Sequence, residues 1–182
     1  MKWLIASDLH GSAYYGRKLL EKIHEEKADR ILLLGDLLYH GPRNDLPKEY
    51  NPKEVLSMLN GIAEKIVCVR GNCDGEVDQM VLDFPMMADY AVLDFGGRAL
   101  YATHGHLYND KKPLKFAKGS ILVCGHFHVP CVKELEGFTY INDGSLSLPK
   151  ENSWHSYMTF DGTTFFWYDI ESGEKKMKYE IK

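Results

Sequence analysis

No apolar stretch in this 182-residue chain approaches the roughly 20 residues needed to cross a bilayer, so no membrane partner is expected. The start, MKWLIASDLHG, carries a lysine but neither a long apolar segment nor a small-residue cleavage pattern, and no signal peptide is expected. Positive charge is not in excess: 22 Lys+Arg against 26 Asp+Glu leave a net −4 and a pI near 6.1. A surface dedicated to long nucleic acids would be strongly basic, so such a partner is not expected either. Cysteine is scarce. Cys68, Cys73, Cys124 and Cys131 show no CxxC spacing and fit reduced thiols in the cytoplasm. No internal repeat, low-complexity tract or linker interrupts the chain, and no Ser or Thr nucleophile motif presents itself. With 45% apolar and 26% charged residues, residues 1–182 have the composition of one soluble globular domain and are too short for two comfortable ones.

What is present is an ordered alternation of elements. KWLIA (2–6) is a short apolar run ending at SDLHG, as a first buried strand would. From about Tyr14 to Glu26, Leu19, Leu20 and Ile23 recur at helical spacing among charges, which predicts an amphipathic helix. RILLLGD has the continuous apolar character of a strand buried on both faces. HGPRNDLPKEYNP is a loop, after which Asn51-Pro52 opens a second helix running through Asn60. KIVCVRGN is a third buried strand. This β-α-β-α-β order implies a parallel sheet with right-handed crossovers. Beyond Asp89 the texture changes to strands joined by turns. YAVLDFGGRALYATHG is a hairpin turning at Gly96-Gly97, and SILVCGH, VKELEGFTYIND, YMTFDGTTFFWYDI and KMKYEIK are mostly strands. Two sheets packed face to face with helices outside is the implied architecture.

Five blocks punctuate these elements: SDLHG, GDLLYHG, GNCDG, THGH and GHFH. They contribute seven residues that read as one metal site: Asp8, His10, Asp36, Asn72, His104, His126 and His128. A lone Asp or Asn after a strand is ordinarily a turn residue; five blocks at strand ends, each with a competent donor, are not. Asp8 and His10 are spaced i, i+2, which in an extended segment puts both side chains on one face, and His126 and His128 repeat the spacing. Every donor is an imidazole nitrogen or an oxygen, which suits Mn, Fe, Zn or Ni better than Cu(I) or a Ca²⁺ cage. Seven donors exceed one tetrahedral ion and serve two if a carboxylate bridges.

The succession DxH, GD, GNCD, THG and GHxH over residues 8 to 128 resembles the signature of the calcineurin-like metallophosphoesterases, and GDLLYHGPRN with GNCDG is similar to one small bacterial phosphodiesterase branch of that family. The resemblance implies an α/β fold, a four-layer α/β/β/α sandwich of two mixed β-sheets flanked by helices. It also implies a ligand assignment: Asp8, His10 and His128 on one ion, Asn72, His104 and His126 on a second, with Asp36 bridging. Two divalent ions per chain are expected, Mn²⁺ foremost, with Ni²⁺, Zn²⁺ and Fe²⁺ as alternatives. One position departs from the wider pattern: many relatives read GNHD, with a histidine that assists the leaving group, where this chain has Cys73. A thiol beside two cations should have a lowered pKa and can serve as proton donor or phosphate contact; a small residue that merely widens the site is the alternative.

The remaining candidates are Asp74 and His106 beside the metal blocks, for a catalytic or ligand-orienting part, and Arg43, Asn44 and Arg70 for binding phosphate oxygens. For either arginine a surface salt bridge is the plainer alternative. The expected function is a cytoplasmic metal-dependent phosphodiesterase, a phosphoric diester hydrolase acting on a small substrate by a metal-activated hydroxide. Phosphomonoesterase or nucleotide phosphatase activity on the same site stays open, as does a non-catalytic protein-interaction scaffold of the kind a retromer subunit resembling this family provides. A homo-oligomer also stays open.

Overall fold

A computed structural model describes residues 1–181; Lys182, at the end of the last expected strand, lies outside the described residues. Among the described residues, eleven strands form two sheets. β1 (Trp3–Ala6), β2 (Arg30–Leu33) and β3 (Ile66–Cys68) are parallel neighbours. They are joined by α1 (Ala13–Glu25) and, before β3, α2 (Pro52–Asn60). Both helices start where the sequence signals it: Ser12 Oγ accepts from the Tyr15 N–H, and Asn51 caps α2 by accepting from the Glu54 N–H ahead of a proline in the first turn. A short 3₁₀ turn (Ala63–Lys65) and a one-turn helix α3 (Glu76–Gln79), neither anticipated from the sequence, complete the helical parts.

The second sheet holds β4 (Tyr90–Phe95), β5 (Arg98–Thr103), β6 (Ser120–Cys124), β7 (Cys131–Leu135) and β8 (Phe138–Asn142) in the order β4-β5-β6-β8-β7. β4 and β5 form the expected hairpin, with Gly96 and Gly97 at φ 66° and 86° as a tight turn requires. The strand-rich second half does not stay together. β9 (Ser156–Phe160), β10 (Thr164–Asp169) and β11 (Lys175–Glu180) return to the first sheet, where β9 pairs antiparallel with β1. Both sheets are therefore mixed.

Strand alternation divides the core into layers. Leu4, Ala6, Ile31, Leu33 and Cys68 face the α1/α2 layer, while Trp3, Ile5, Leu32 and Leu34 face the second sheet. Across that inter-sheet layer stand Leu100, Ala102, Ile121, Val123 and Ile141, and the fully buried Phe165 and Trp167 from β10. Phe165 and Trp167 of the FFWY segment are thus core, while Phe166 and Tyr168 are half-buried. On the outer face of the second sheet, Leu122, Cys124 and Tyr140 are covered by the irregular segment between β5 and β6, through Phe116. Cys68 and Cys124 are buried among apolar side chains and all four cysteines are unpaired.

Trp167 joins the two sheets physically: its ring fills the inter-sheet layer and its Nε1–H donates to the Asn142 carbonyl at 2.9 Å. Trp167→Ala should therefore cost about 3–5 kcal/mol, seen as a large drop in the denaturant midpoint; an unchanged midpoint would show that this layer does not hold the sheets together.

A candidate metal centre at the strand ends

The C-terminal ends of parallel strands carry the five blocks, the position where open α/β sheets place their sites. Asp8 and His10 follow β1, Asp36 follows β2, Asn72 follows β3, His104 follows β5, and His126 and His128 follow β6. The loops after β1 and β2 are tied to each other: Asp8 N donates to Gly35 O, His10 N to Asp36 O and Gly11 N to Leu37 O, at 2.8–3.1 Å. The i, i+2 spacing works differently from the extended-segment expectation. Asp8, His10, Asp36, His126 and His128 all have φ between 49° and 64°, in the left-handed region. It is turning backbone, not pleated strand, that aims these side chains at one point.

The donor atoms converge. His128 Nε2 lies 3.1 Å from Asp8 Oδ1, and His10 Nε2 lies 3.5 Å from the same oxygen and 3.7 Å from Asp36 Oδ2. His104 Nε2 is 3.4 Å from Asp36 Oδ2 and 3.1 Å from Asn72 Oδ1. His126 Nδ1 stands 3.2 Å from His104 Nε2. The opposite ring nitrogens are anchored outside the cluster: Nδ1 of His10 faces the Tyr39 carbonyl at 2.8 Å, that of His104 the Leu34 carbonyl at 2.7 Å and that of His128 the Leu148 carbonyl at 2.5 Å. A carbonyl only accepts, so each Nδ1 carries the proton and each Nε2 is turned inward, the arrangement typical of metal-binding imidazoles. Asp8 Oδ2 accepts from Ser7 Oγ and from the His126 N–H, and Asp36 Oδ1 from the Cys73 N–H, leaving Asp8 Oδ1 and Asp36 Oδ2 toward the centre.

The electrostatics carry the mark of a site built for cations. Burial alone would raise the Asp8 carboxyl, but His128 and His104 hold it well below the usual carboxylate range. Burial would likewise lower His104, yet Asp8 and Asp36 raise it to about 9. Burial and the charged His104 push His126 down to about 4. Asp8 Oδ1 and His10 Nε2 are buried without a hydrogen-bond partner, which buried polar atoms rarely tolerate. Three overlapping groups of donors each lie within 4.8 Å of one another: Asp8 with His10 and His128, Asp8 with Asp36 and His104, and His10 with Asp36 and Cys73. Unpartnered, inward-facing O and N atoms at this spacing fit divalent cations.

The other expected residues divide. Asp74 is buried and accepts from the N–H groups of Asp36, Leu37 and Gly71 at 2.7–2.9 Å, so it clips the β2 loop to the β3 loop. A methyl group on Gly71 would come within 2.0 Å of Asp36 Oδ1, which explains the glycine before Asn72. Cys73 reaches the cluster, but burial and the Asp36, Asp74 and Asp8 carboxylates push its thiol up. The expected lowering belongs to a thiol beside two bound cations; the protein's own groups act in the opposite direction. His106 sits beside the cluster with its ring 5.4 Å from that of His104. A cavity of about 440 Å³ opens over the centre, and Arg43, Asn44, Phe127 and Lys150 form its walls. Arg70 is not among them: its Nε and Nη2 both donate to Asp89 Oδ1, at 3.2 and 2.6 Å. Phe127 and Lys150 escaped sequence reasoning. Lys150 belongs to no motif, and Phe127 is the unremarked centre of GHFH.

The sequence profile of the calcineurin-like phosphoesterase superfamily domain matches residues 1–164. The chain belongs to this superfamily. Within it, the chain is similar to Phosphodiesterase YfcE of Escherichia coli K12, 40% identical over 161 residues, 88% of each chain. The solved structure of Yfce, described as a phosphoesterase from E. coli, superposes with a TM-score of 0.96 at 36% identity over the whole of both chains. Vps29 of Entamoeba histolytica, solved in complex with Zn²⁺, shares the fold at a TM-score of 0.64 and 19% identity over the whole of both chains. The superfamily membership and the donor cluster together make this a metallophosphoesterase domain with divalent-metal ligands.

A charged His104 must lose its Nε2 proton to bind a cation there. Metal uptake at pH 7.5 should therefore release about one proton, read as a buffer-dependent calorimetric enthalpy. His104 titrates near 9, so the release should fade as pH rises through that value, and metal affinity should weaken as pH falls below it. Buffer-independent enthalpies at pH 7.5 would show that His104 is neutral in the free protein.

Proposed function

We propose that the chain is a metal-dependent phosphodiesterase that hydrolyses a small phosphodiester with two divalent ions, Mn²⁺ foremost, in the cytoplasm. The observation that carries the reading is the convergence of the seven donors beneath an open cavity, with Asp8 Oδ1 and His10 Nε2 buried and making no hydrogen bond. Asp8, His10 and His128 would hold one ion, Asn72, His104 and His126 the other, and Asp36, whose Oδ2 stands between His10 and His104, would bridge. When bound, such ions supply Lewis acidity toward phosphoryl oxygens and an activated water. The O and N donor set agrees with Mn²⁺ and serves Ni²⁺, Zn²⁺ or Fe²⁺ as well. The phosphodiesterase name of the E. coli relative, at 40% identity over 88% of the chain, supports the substrate class, and four unpaired cysteines support a reducing compartment.

The chain's own groups have distinct parts. Arg43, whose guanidinium has no protein partner among the described residues, and Asn44 project from the loop after β2 to receive phosphate oxygens. Asn44 is itself braced, its Nδ2 donating to the His40 carbonyl at 2.8 Å. Cys73 faces the same cavity, and its thiol is placed to protonate the departing ester oxygen. Asp74 positions Asp36 through its backbone and does not meet the substrate. His106 borders the cluster and acts on it through His104. Arg70, committed to Asp89, orients the loop before Asn72. A diester carries one negative charge and needs fewer fixed cations than a monoester dianion, which favours diesters in a cavity to which, among the described residues, Arg43 and Lys150 bring the lysine and arginine charges.

Metal-free protein should be inactive on bis(p-nitrophenyl) phosphate and regain activity with Mn²⁺, with much lower kcat/KM on p-nitrophenyl phosphate. Asp36→Asn should lower the content of both metals, and His128→Ala that of one, by elemental analysis. Full turnover in chelator, or in Asp36→Asn, would remove the two-metal reading; equal kcat/KM on the two esters would remove only the diester preference.

Cys73 invites a separate test. Cys73→Ser should slow diesters with alkoxide leaving groups by about 10²–10⁴-fold, with little effect on nitrophenyl esters, whose phenolate leaves unprotonated. Cys73→His should restore part of the rate. Wild-type rates in Cys73→Ala on both kinds of ester would make the cysteine a spacer.

A further inference from the structure

Phe127 is 43% exposed. Single exposed apolar side chains are ordinary, but this one occupies an unusual place. It stands between two expected metal ligands, His126 and His128, both held at positive φ (64° and 60°), so the turn that sends the two imidazoles inward sends the phenyl ring outward. The ring meets that of His126 edge-to-face at 5.1 Å. It lines the cavity over the metal centre and also a second cavity of about 350 Å³ on its far side. Phe127 is thus the shared wall of two cavities, one holding the candidate metal ligands and one with no assigned purpose.

The second cavity has a mixed chemistry. Val129, Cys131 and the ring of Tyr140 give it apolar surface, while Lys111 and Glu151, without protein partners for their side chains among the described residues, bring a donor and an acceptor to it. Lys133, also present, is already paired with Asp110 at 2.6 Å. An alkyl arm would use the apolar part and leave the charged groups idle, and a sugar would do the reverse. A planar heteroaromatic ring uses both, by stacking its face on phenyl and offering hydrogen-bonding edges to Lys111 and Glu151.

We infer that Phe127 is a stacking platform for a nucleobase and that the cavity beyond it receives the base-bearing arm of the substrate. The inference rests on the phosphodiesterase reading and narrows it: the diester carries at least one nucleoside. The phosphate sits over the metal centre and the arm crosses Phe127.

Direct binding isolates the base. Calorimetric titration of the Mn²⁺-loaded protein with adenosine 5′-monophosphate and with ribose 5-phosphate compares ligands alike in phosphate and sugar and different in the base. The nucleotide should bind about tenfold tighter, within the fivefold to hundredfold range that base–aromatic stacking supplies. Phe127→Ala should bring the two affinities together while leaving that for ribose 5-phosphate unchanged, and Phe127→Trp should keep the gap. Equal affinities in the wild type, or a gap that survives Phe127→Ala, would overturn the inference. The exposed position makes loss of folding in either variant an unneeded concern, and unchanged ribose 5-phosphate binding checks it. Because the comparison is read without turnover, a protein that binds the base but fails to cleave diesters would sink the phosphodiesterase reading and leave the platform standing.

Discussion

The enclosed carboxylate of Asp8 sets the terms on which the rest of the structure is assembled. Its side chain has no exposure, and an ionised carboxylate so placed is strongly disfavoured unless every oxygen is answered. The answers come from far along the chain. Ser7 is its neighbour, but the N–H on Oδ2 belongs to His126 and the imidazole nearest Oδ1 to His128. The backbone carbonyl of Asp8 is itself held by Ser145 Oγ and Ser147 Oγ at 3.0 and 2.9 Å. A methyl group on Gly125 would come within 1.9 Å of Ser7 Oγ, so the β6 loop can approach this closely only as glycine. Stacking of the two sheets and formation of the donor cluster are consequently one event: without the second sheet Asp8 would keep only the Ser7 hydroxyl and the His10 imidazole beside it.

The same convergence explains where backbone strain is placed. Five of the seven donors lie on residues with left-handed φ and a side chain, a conformation costing of order 1–3 kcal/mol each where glycine is absent. A flexible loop would relax. These cannot, because the β1 and β2 loops are pinned by their mutual backbone bonds and the β2 and β3 loops by the three N–H groups that Asp74 accepts. The apolar layers on either side of the first sheet stabilise the arrangement that the turns oppose. What results is a set of lone pairs fixed at short range before any cation arrives, so that binding requires little reorganisation beyond loss of a proton.

Much of this was readable in the amino-acid sequence, and unevenly so. The three apolar runs at Leu4, Ile31 and Val67 announced buried strands because parallel strands covered on both faces have no polar side to show. The seven donors were recognisable because metal binding demands particular residue types, and the superfamily match agrees with the resemblance that their order suggested. The reason for their convergence was not readable: i, i+2 spacing fits a pleated strand as well as a left-handed turn, and only tertiary hydrogen bonds choose. Nor did local pattern reveal that β9 to β11 would rejoin the first sheet, since an antiparallel partner for β1 looks the same from any distance along the chain. Arg70 shows the limit for surface charge. Its place before Asn72 suggested phosphate, but Asp89, brought alongside by the fold, accepts from its Nε and Nη2.

That unevenness follows from how the site divides its labour. The metal-facing half uses residues whose chemistry is scarce and whose geometry is tied to Asp8, so changing one disturbs the others. The substrate-facing half uses Arg43, Asn44, Phe127 and Lys150, common types whose meaning comes only from where the turns display them. Because His126 and His128 must turn inward, whatever stands at 127 is presented to the incoming substrate, and its ring touches the donor cluster only through the edge contact with His126. Position 127 can therefore alter substrate choice while leaving the carboxylates and their hydrogen bonds in place, whereas a change at Asp8 dismantles both halves.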